Sequence, residues 1–195
     1  AAVINSVNDY EKIAPQKPED VKLDRAATRL IRFMNTTNDK SSVTFDNAKV
    51  DWTSAGGALI YSYGNAADAT NIRIIDSELK AKKSVISVGN SNRANISVEG
   101  SSVVSSMDDH VIKMYTDNNS SAMMSANIEI DLKDQAEITG ESGPTGTGYI
   151  YSGTQSAIYM MGNNAYSDST FVIKRGLIAG GSSAVTVINE AVNKN

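Results

Sequence analysis

Two carboxylates and an imidazole stand together at Asp108, Asp109 and His110, which are consecutive in the chain. These groups could serve as a general acid and base, or hold a weakly bound cation. Consecutive residues of a strand point to opposite faces, so the three side chains cannot converge without help from another segment. We interpret the segment as an acidic turn, and we predict that the chain has no catalytic residues and is not an enzyme.

The amino-acid composition excludes several other kinds of functional site. The 195 residues include no cysteine and one histidine, which excludes thiolate metal sites and a histidine cluster for a transition metal. No glycine-rich phosphate loop and no Gly-x-Ser-x-Gly nucleophile motif is present. The formal net charge of −4 offers no basic stripe for a phosphate backbone. We therefore predict no metal, no cofactor and no nucleic-acid partner.

Tyrosines form the largest set of groups suited to recognition, since an exposed ring can stack on a sugar or anchor a protein interface. The members of this set within residues 30–195 are Tyr61, Tyr63, Tyr115, Tyr149, Tyr151, Tyr159 and Tyr166. Tyr61, Tyr63 and Tyr159 coincide with apolar positions of an internal repeat, so we predict that these three pack in the core. Tyr149, Tyr151 and Tyr166 are the predicted binding residues, and the first two adjoin the longest interruption of the repeat.

The repeat is an alternating apolar phrase that closes on asparagine. It occurs six times, at 31–35, 61–65, 86–90, 114–118, 159–163 and 185–189. The closing asparagines are separated by 30, 25, 28, 45 and 26 residues. A period of this length is typical of one coil of a solenoid, here with one large insertion.

Two further phrases follow in a fixed order within each repeat. A second apolar phrase occurs at 43–45, 72–74, 96–98, 128–130 and 171–173. A third is anchored by Val50, Leu79, Val103, Ile138 and Ile178. The residues between the second and third phrases are mostly types that accept tight turns or left-handed backbone, such as Asp46-Asn47, Asp76-Ser77 and Gly100-Ser101.

Three short strands and three turns per coil predict an all-β fold, a right-handed parallel β-helix of about five to six coils. A β-sandwich is the rival fold, but its hairpins would not force the same three-part order with one turn length. Asparagines at one corner of such a fold can hydrogen-bond along the stack. We predict a structural ladder of this kind, formed by Asn35, Asn65, Asn90 and Asn163.

The chain divides into two regions. Residues 1–29 lack the repeat and carry Pro15 and Pro18 among charged residues, which favours an N-terminal cap or linker. Residues 30–195 are the predicted β-helix, with a loop insertion at 139–156 around a glycine-rich stretch. The last coil stops close to residue 195 without a polar cap, so we expect this chain to be a fragment of a longer rod.

The three-part coils, the Asn, Ser and Gly turns, the acidic balance and the missing cysteines resemble the passenger domains of Gram-negative type V autotransporters over residues 30–195. Those domains are β-helices of the pectin-lyase-like superfamily. The resemblance implies secretion and display at the cell surface, either released or anchored in the outer membrane by a C-terminal barrel that this chain does not contain. The protease branch carries a Gly-Asp-Ser-Gly signature, which is missing here, so the adhesin branch is favoured.

Three functions are compatible with these observations. The first is a non-catalytic adhesin or virulence segment, monomeric, that binds a protein or glycan of a host or neighbouring cell. The second is a polysaccharide-degrading β-helix enzyme or tailspike fragment, which would need clustered carboxylates. The third is a structural stalk whose binding residues lie elsewhere in the parent protein.

Overall fold

The computed structural model describes residues 29–35, 41–52, 56–64, 69–89, 93–115, 125–133, 136–139, 143–162 and 169–189. These residues form strands joined by turns, and none of their segments is a helix able to cross a membrane. In chain order the strands are β1 (Ile31–Asn35), β2 (Ser42–Asp46), β3 (Lys49–Trp52), β4 (Ile60–Gly64), β5 (Thr70–Ile75), β6 (Glu78–Ala81), β7 (Ile86–Gly89), β8 (Arg93–Gly100), β9 (Val103–Ser106), β10 (Ile112–Tyr115), β11 (Ser125–Leu132), β12 (Glu137–Ile138), β13 (Pro144–Thr145), β14 (Tyr149–Ser152), β15 (Ile158–Gly162), β16 (Thr170–Arg175), β17 (Leu177–Gly180) and β18 (Val185–Asn189).

Three parallel sheets run side by side along the molecule. Sheet A has the order β1-β4-β7-β10-β15-β18, sheet B β16-β11-β8-β5-β2, and sheet C β17-β14-β9-β6-β3. Each of the first five coils contributes one strand to each sheet, and β18 begins a sixth coil in sheet A. Each strand pairs with its counterparts in the adjacent coils. The predicted parallel β-helix with three strands per coil and five to six coils is therefore confirmed.

The core is a set of columns in which one inward position repeats from coil to coil. In sheet A the register aligns five isoleucines, each 0% exposed: Ile31, Ile60, Ile86, Ile112 and Ile158. β-branched side chains suit this pleated, closely spaced stack. Because the side-chain period of a strand is two, this register also fixes which residues face outward.

Left-handed backbone at one corner turns the chain from sheet B to sheet C. Asn47, Asp76, Gly100 and Gly176 have φ angles of 49°, 45°, 69° and 117°. They occupy the turns where the sequence predicted residues tolerant of this conformation. Buried serines satisfy neighbouring backbone groups, since Ser77 Oγ accepts from Ala48 N at 3.0 Å and Ser102 Oγ accepts from Ser77 N at 3.2 Å.

The fourth coil departs from the prediction at its third strand. Ile138 lies in the two-stranded antiparallel pair β12–β13 and is 54% exposed, so its assignment as a core anchor is wrong. Ile150 of β14 takes that place, aligned with Val104 and Ile178. Val104 is also the inward residue of its coil, whereas the predicted anchor Val103 faces the other way, in register with Glu78 and Tyr149. The insertion predicted at 139–156 thus includes a regular strand of sheet C.

The predicted asparagine ladder falls largely outside the described residues. Asn65, Asn90 and Asn163 are not among them, and of Asn35 only the backbone is described, at the end of β1. That ladder stays a prediction, as does the cap or linker at 1–29, of which only residue 29 is described.

Candidate functional site

Four tyrosines lie on the outer surface of sheet A and form what we call the aromatic face: Tyr61, Tyr63, Tyr115 and Tyr159. Ile60 and Ser62 are 0% exposed, whereas Tyr61 between them is half-buried and Tyr63 is 36% exposed. The prediction that Tyr61, Tyr63 and Tyr159 pack in the core is therefore wrong. The register pairs Ile31 with Ile60 rather than with Tyr61, and a one-residue slip moves every side chain to the opposite face.

The rings gather over small residues of β7. Tyr61 and Tyr63 stack with ring centroids 6.1 Å apart and an interplanar angle of 12°. A Cβ placed on Gly89 would lie 3.5 Å from Tyr63 Cδ2 and from Tyr115 Cζ, so both rings approach the glycine backbone. Burial, reinforced by a hydrogen bond with the hydroxyl of Tyr115, raises the pKa of Tyr61 to about 12. The Tyr61 hydroxyl therefore stays protonated in neutral solution.

Cations accompany these rings. The Arg29 guanidinium carbon lies 4.1 Å from the Tyr61 ring centroid, and Lys113 Nζ lies 5.6 Å from that of Tyr115. Both distances are within the range at which a cation is attracted to the face of an aromatic ring. Lys113 Nζ is also 3.6 Å from Asp109 Oδ1.

The segment that suggested acid–base chemistry does not assemble as a catalytic pair. The backbone N–H of His110 donates to Asp109 Oδ1 at 2.8 Å, and Ser84 Oγ donates to Asp109 Oδ2 at 2.9 Å. The imidazole points elsewhere: it stacks on Tyr159 at 4.3 Å, and its Nδ1 lies 2.9 Å from the carbonyl oxygen of Ser156. These contacts agree with an acidic turn, and within the described ranges no three His, Cys, Asp or Glu side chains could share a metal ion.

We expect the pKa of His110 to lie below its ordinary value of 6.5, because burial against Tyr159 disfavours the charged imidazolium more than Ser156 and Asp109 favour it. The unfolded chain then binds the proton more readily, so the free energy of unfolding falls as the pH is lowered from 6.5 through the folded-state pKa. The single histidine allows direct titration of the imidazole C–H signals by NMR. A midpoint at or above 6.5 would contradict the packing described, and His110→Gln is the control that should remove this part of the pH dependence.

The predicted binding residues Tyr149 and Tyr151 lie on another side of the molecule. Both alternate with buried residues in β14 and are half-buried on the outer surface of sheet C. A Cβ on Gly143 would lie 2.8 Å from Tyr151 Cε1, so the inserted segment passes directly over that ring. Burial raises the pKa of Tyr149. The binding role of both stays a prediction, and Tyr166 lies outside the described residues.

Sheet B carries an asparagine ladder that the sequence reasoning did not assign. Asn95 Nδ2 donates to Asn71 Oδ1 at 2.9 Å, and Asn127 Nδ2 donates to Asn95 Oδ1 at 3.0 Å. Thr170 Oγ1 donates to Asn127 Oδ1 at 2.7 Å and ends the chain of bonds. The available signal was that these asparagines immediately precede the second apolar phrase in three repeats. The ladder borders a shallow groove of about 330 Å³.

Charged residues beside this groove pair with one another. Arg73 makes two hydrogen bonds of 2.9 Å to the Glu99 carboxylate, which holds the pKa of Glu99 below its usual range. Arg175 Nη2 lies 2.7 Å from Asp131 Oδ1. Exposed pairs of this type contribute little to stability, and here they neutralise the surface.

Comparison with known proteins adds no identity to this description: no family model, no curated protein and no solved structure matches the chain. The class defined by the fold is the parallel β-helix.

Proposed function

We propose that this chain is a non-catalytic adhesin segment of the autotransporter passenger type, displayed at the cell surface, that binds a protein or glycan of a host or neighbouring cell. The observation that carries the proposal is the aromatic face of sheet A. Tyrosine combines a large apolar ring with a hydroxyl, which makes it effective both in water and in an interface.

Rigidity of the scaffold supports a binding role. The strands that carry Tyr63 and Tyr115 are each paired on both sides by parallel neighbours. The mutual ring contacts further restrict the side chains before any ligand arrives. A preorganised surface loses less conformational entropy on binding, so more of the contact energy appears as affinity.

The carboxylates favour binding over hydrolysis. A glycosidase mechanism needs two carboxyl groups facing one bond, one of them with a raised pKa. On sheets B and C, Glu78 and Glu99 are instead paired with lysine or arginine, and these partners lower the pKa of both. A structural stalk does not account for the outward tyrosines, since a spacer needs only a polar surface.

The test is an array of glycans and cell-surface proteins probed with the wild-type chain and with Tyr63→Ala/Tyr115→Ala. We expect binding to fall by about tenfold or more in this variant, because aromatic anchors typically contribute at least 1–2 kcal/mol each. Tyr63→Phe/Tyr115→Phe keeps the rings and should retain most of the binding. Circular dichroism and a thermal melt establish that each variant is folded.

The matched control is Tyr149→Ala/Tyr151→Ala, which removes two half-buried tyrosines from sheet C. Loss only in the sheet A variant supports the proposal. Loss only in the sheet C variant overturns the assignment to the aromatic face and places recognition beside the insertion. An array with no specific signal for the wild-type chain contradicts the adhesin function and leaves the stalk.

A further inference from the structure

We infer that the aromatic face binds an acidic polysaccharide, a linear glycan carrying carboxylate or sulfate groups, laid across the strands of sheet A along the helix axis. This inference rests on the proposed function and narrows its ligand. It is carried by the distribution of charge among the three sheets, by the position of two cations in one row, and by the dimensions of the face.

Sheet A is the sheet without acidic residues. Its six strands contain no Asp or Glu, and they carry Arg32 and Lys113. Acidic residues do occur in the strands of sheet B, for example Glu99 and Glu129, and in those of sheet C, for example Glu78. In a chain of net charge −4, sheet A is therefore the sheet whose strands carry the most positive net charge.

Most cations in the strands of the other two sheets contact an acid within the same sheet, the exception being Arg93 of β8. Arg73 pairs with Glu99 and Lys174 with Glu129 on sheet B. On sheet C, Glu78 contacts both Lys49 and Lys80. At the aromatic face, Asp109 contacts Lys113, and it also accepts hydrogen bonds from Ser84 and from the backbone N–H of His110. The strands of sheet A thus carry two cations, Arg32 and Lys113, of which Lys113 contacts this turn carboxylate.

The cations and rings share rows that run along the axis. Register places Arg32, Tyr61, Ser87, Lys113 and Tyr159 in one outward row across β1, β4, β7, β10 and β15. Arg32 and Lys113 are three strand spacings apart, about 14 Å. A polymer lying along this row would meet a cation, a ring, a second cation and a second ring in turn.

Each group has a complementary partner on an acidic glycan. A guanidinium presents parallel N–H donors that match the two oxygens of a carboxylate or sulfate. The negative face of a tyrosine ring attracts the weakly positive C–H bonds on the flat side of a sugar. The mixture of rings and cations therefore suits a sugar polymer with anionic groups better than a neutral one.

The area of the face favours a slender ligand over an acidic protein. Strands of four to five residues make it about 16 Å wide, and six strands make it about 24 Å long. This is about 400 Å², half of the ~800 Å² that each partner buries in a standard protein interface. A glycan chain needs only a strip of that width.

The probes are immobilised heparin and polygalacturonate, with dextran as the uncharged glycan. We expect the wild-type chain to bind one or both polyanions and not dextran, and Arg32→Glu to weaken that binding about tenfold or more by replacing attraction with repulsion. Binding should also weaken as salt rises from about 0.01 M to 0.15 M, since the screening length falls from about 30 to 8 Å.

Arg93→Glu is the matched control, because Arg93 is exposed on sheet B and its reversal changes the net charge equally. Binding unaffected by Arg93→Glu supports the inference. Equal loss in both variants shows a response to net charge alone and overturns it, as does binding to neither polyanion or equal binding to dextran. If the array ligand is lost in Tyr63→Ala/Tyr115→Ala yet is an uncharged glycan or a protein, the proposed function stands and this inference fails.

Discussion

Replacing Ile74 with alanine is expected to lower the free energy of unfolding by about 2–5 kcal/mol, the range typical of a large aliphatic side chain removed from a packed core. Ile74 is 0% exposed and lies between Phe45 and Val98, its register partners in the coils on either side. A cavity here faces two coil interfaces at once, and in a solenoid those nearest-neighbour interfaces supply much of the stability. Urea denaturation of the two proteins under identical conditions measures the difference.

The control for this prediction is Ile173→Ala in β16, an end strand of sheet B. Ile173 occupies the same inward column as Ile74 and pairs with Ile130, but it is 50% exposed. Its truncation should therefore cost about 1 kcal/mol, since less apolar area leaves contact with the core. Equal losses at both positions would show that the column does not form the continuous core described.

Strand number and strand order were predictable because they depend only on periodicity. The described residues of all six first phrases lie in sheet A, and all five second phrases lie in sheet B. Alternation at period two and recurrence near one coil length are encoded locally, so no knowledge of long-range contacts was needed. The third sheet was predictable only in part, because the insertion moved its fourth strand to β14.

The direction in which the tyrosine side chains of sheet A point was predicted wrongly, and the reason is specific. The closing asparagines define the phrases in the sequence, whereas the structure aligns the isoleucines that begin the sheet A strands. Tyr61 and Tyr159 follow Ile60 and Ile158 directly, so alignment on the asparagine shifted these copies by one residue. A tyrosine is apolar enough to pass for a core residue, and only the register of hydrogen bonds between coils separates the two faces.

The asparagine ladder is a second case in which the sequence indicated a kind of structure but not its position. A stack of asparagines was expected from the composition of the corners, and one exists among the described residues, at Asn71, Asn95 and Asn127. It forms at the start of the sheet B strands, where identical residues occupy identical register positions. A better criterion for finding the ladder is the same residue type at a fixed distance in sequence from the inward residue of each strand.

A second large loss of stability is expected for Gly100→Ala. The glycine has φ of 69°, which disfavours any residue with a Cβ by about 1–2 kcal/mol. Its Cβ would also overlap Asp76 Oδ1 and lie 2.8 Å from Asp76 Cγ. That carboxylate oxygen accepts a 2.8 Å hydrogen bond from Ser101 N, so moving it aside breaks a contact between coils. Together these effects should lower the free energy of unfolding by about 2–4 kcal/mol.

Two comparisons separate the causes. Gly89→Ala should change stability by less than about 0.5 kcal/mol or raise it, because a Cβ there meets only ordinary contacts at 3.5 Å and the backbone is not left-handed. In Asp76→Gly/Gly100→Ala the carboxylate is gone and only the backbone strain remains. The double variant should therefore lose about 1–2 kcal/mol less free energy of unfolding than the two single variants lose in sum. Strict additivity in urea melts would show that the collision with Asp76 is not what makes this corner require glycine.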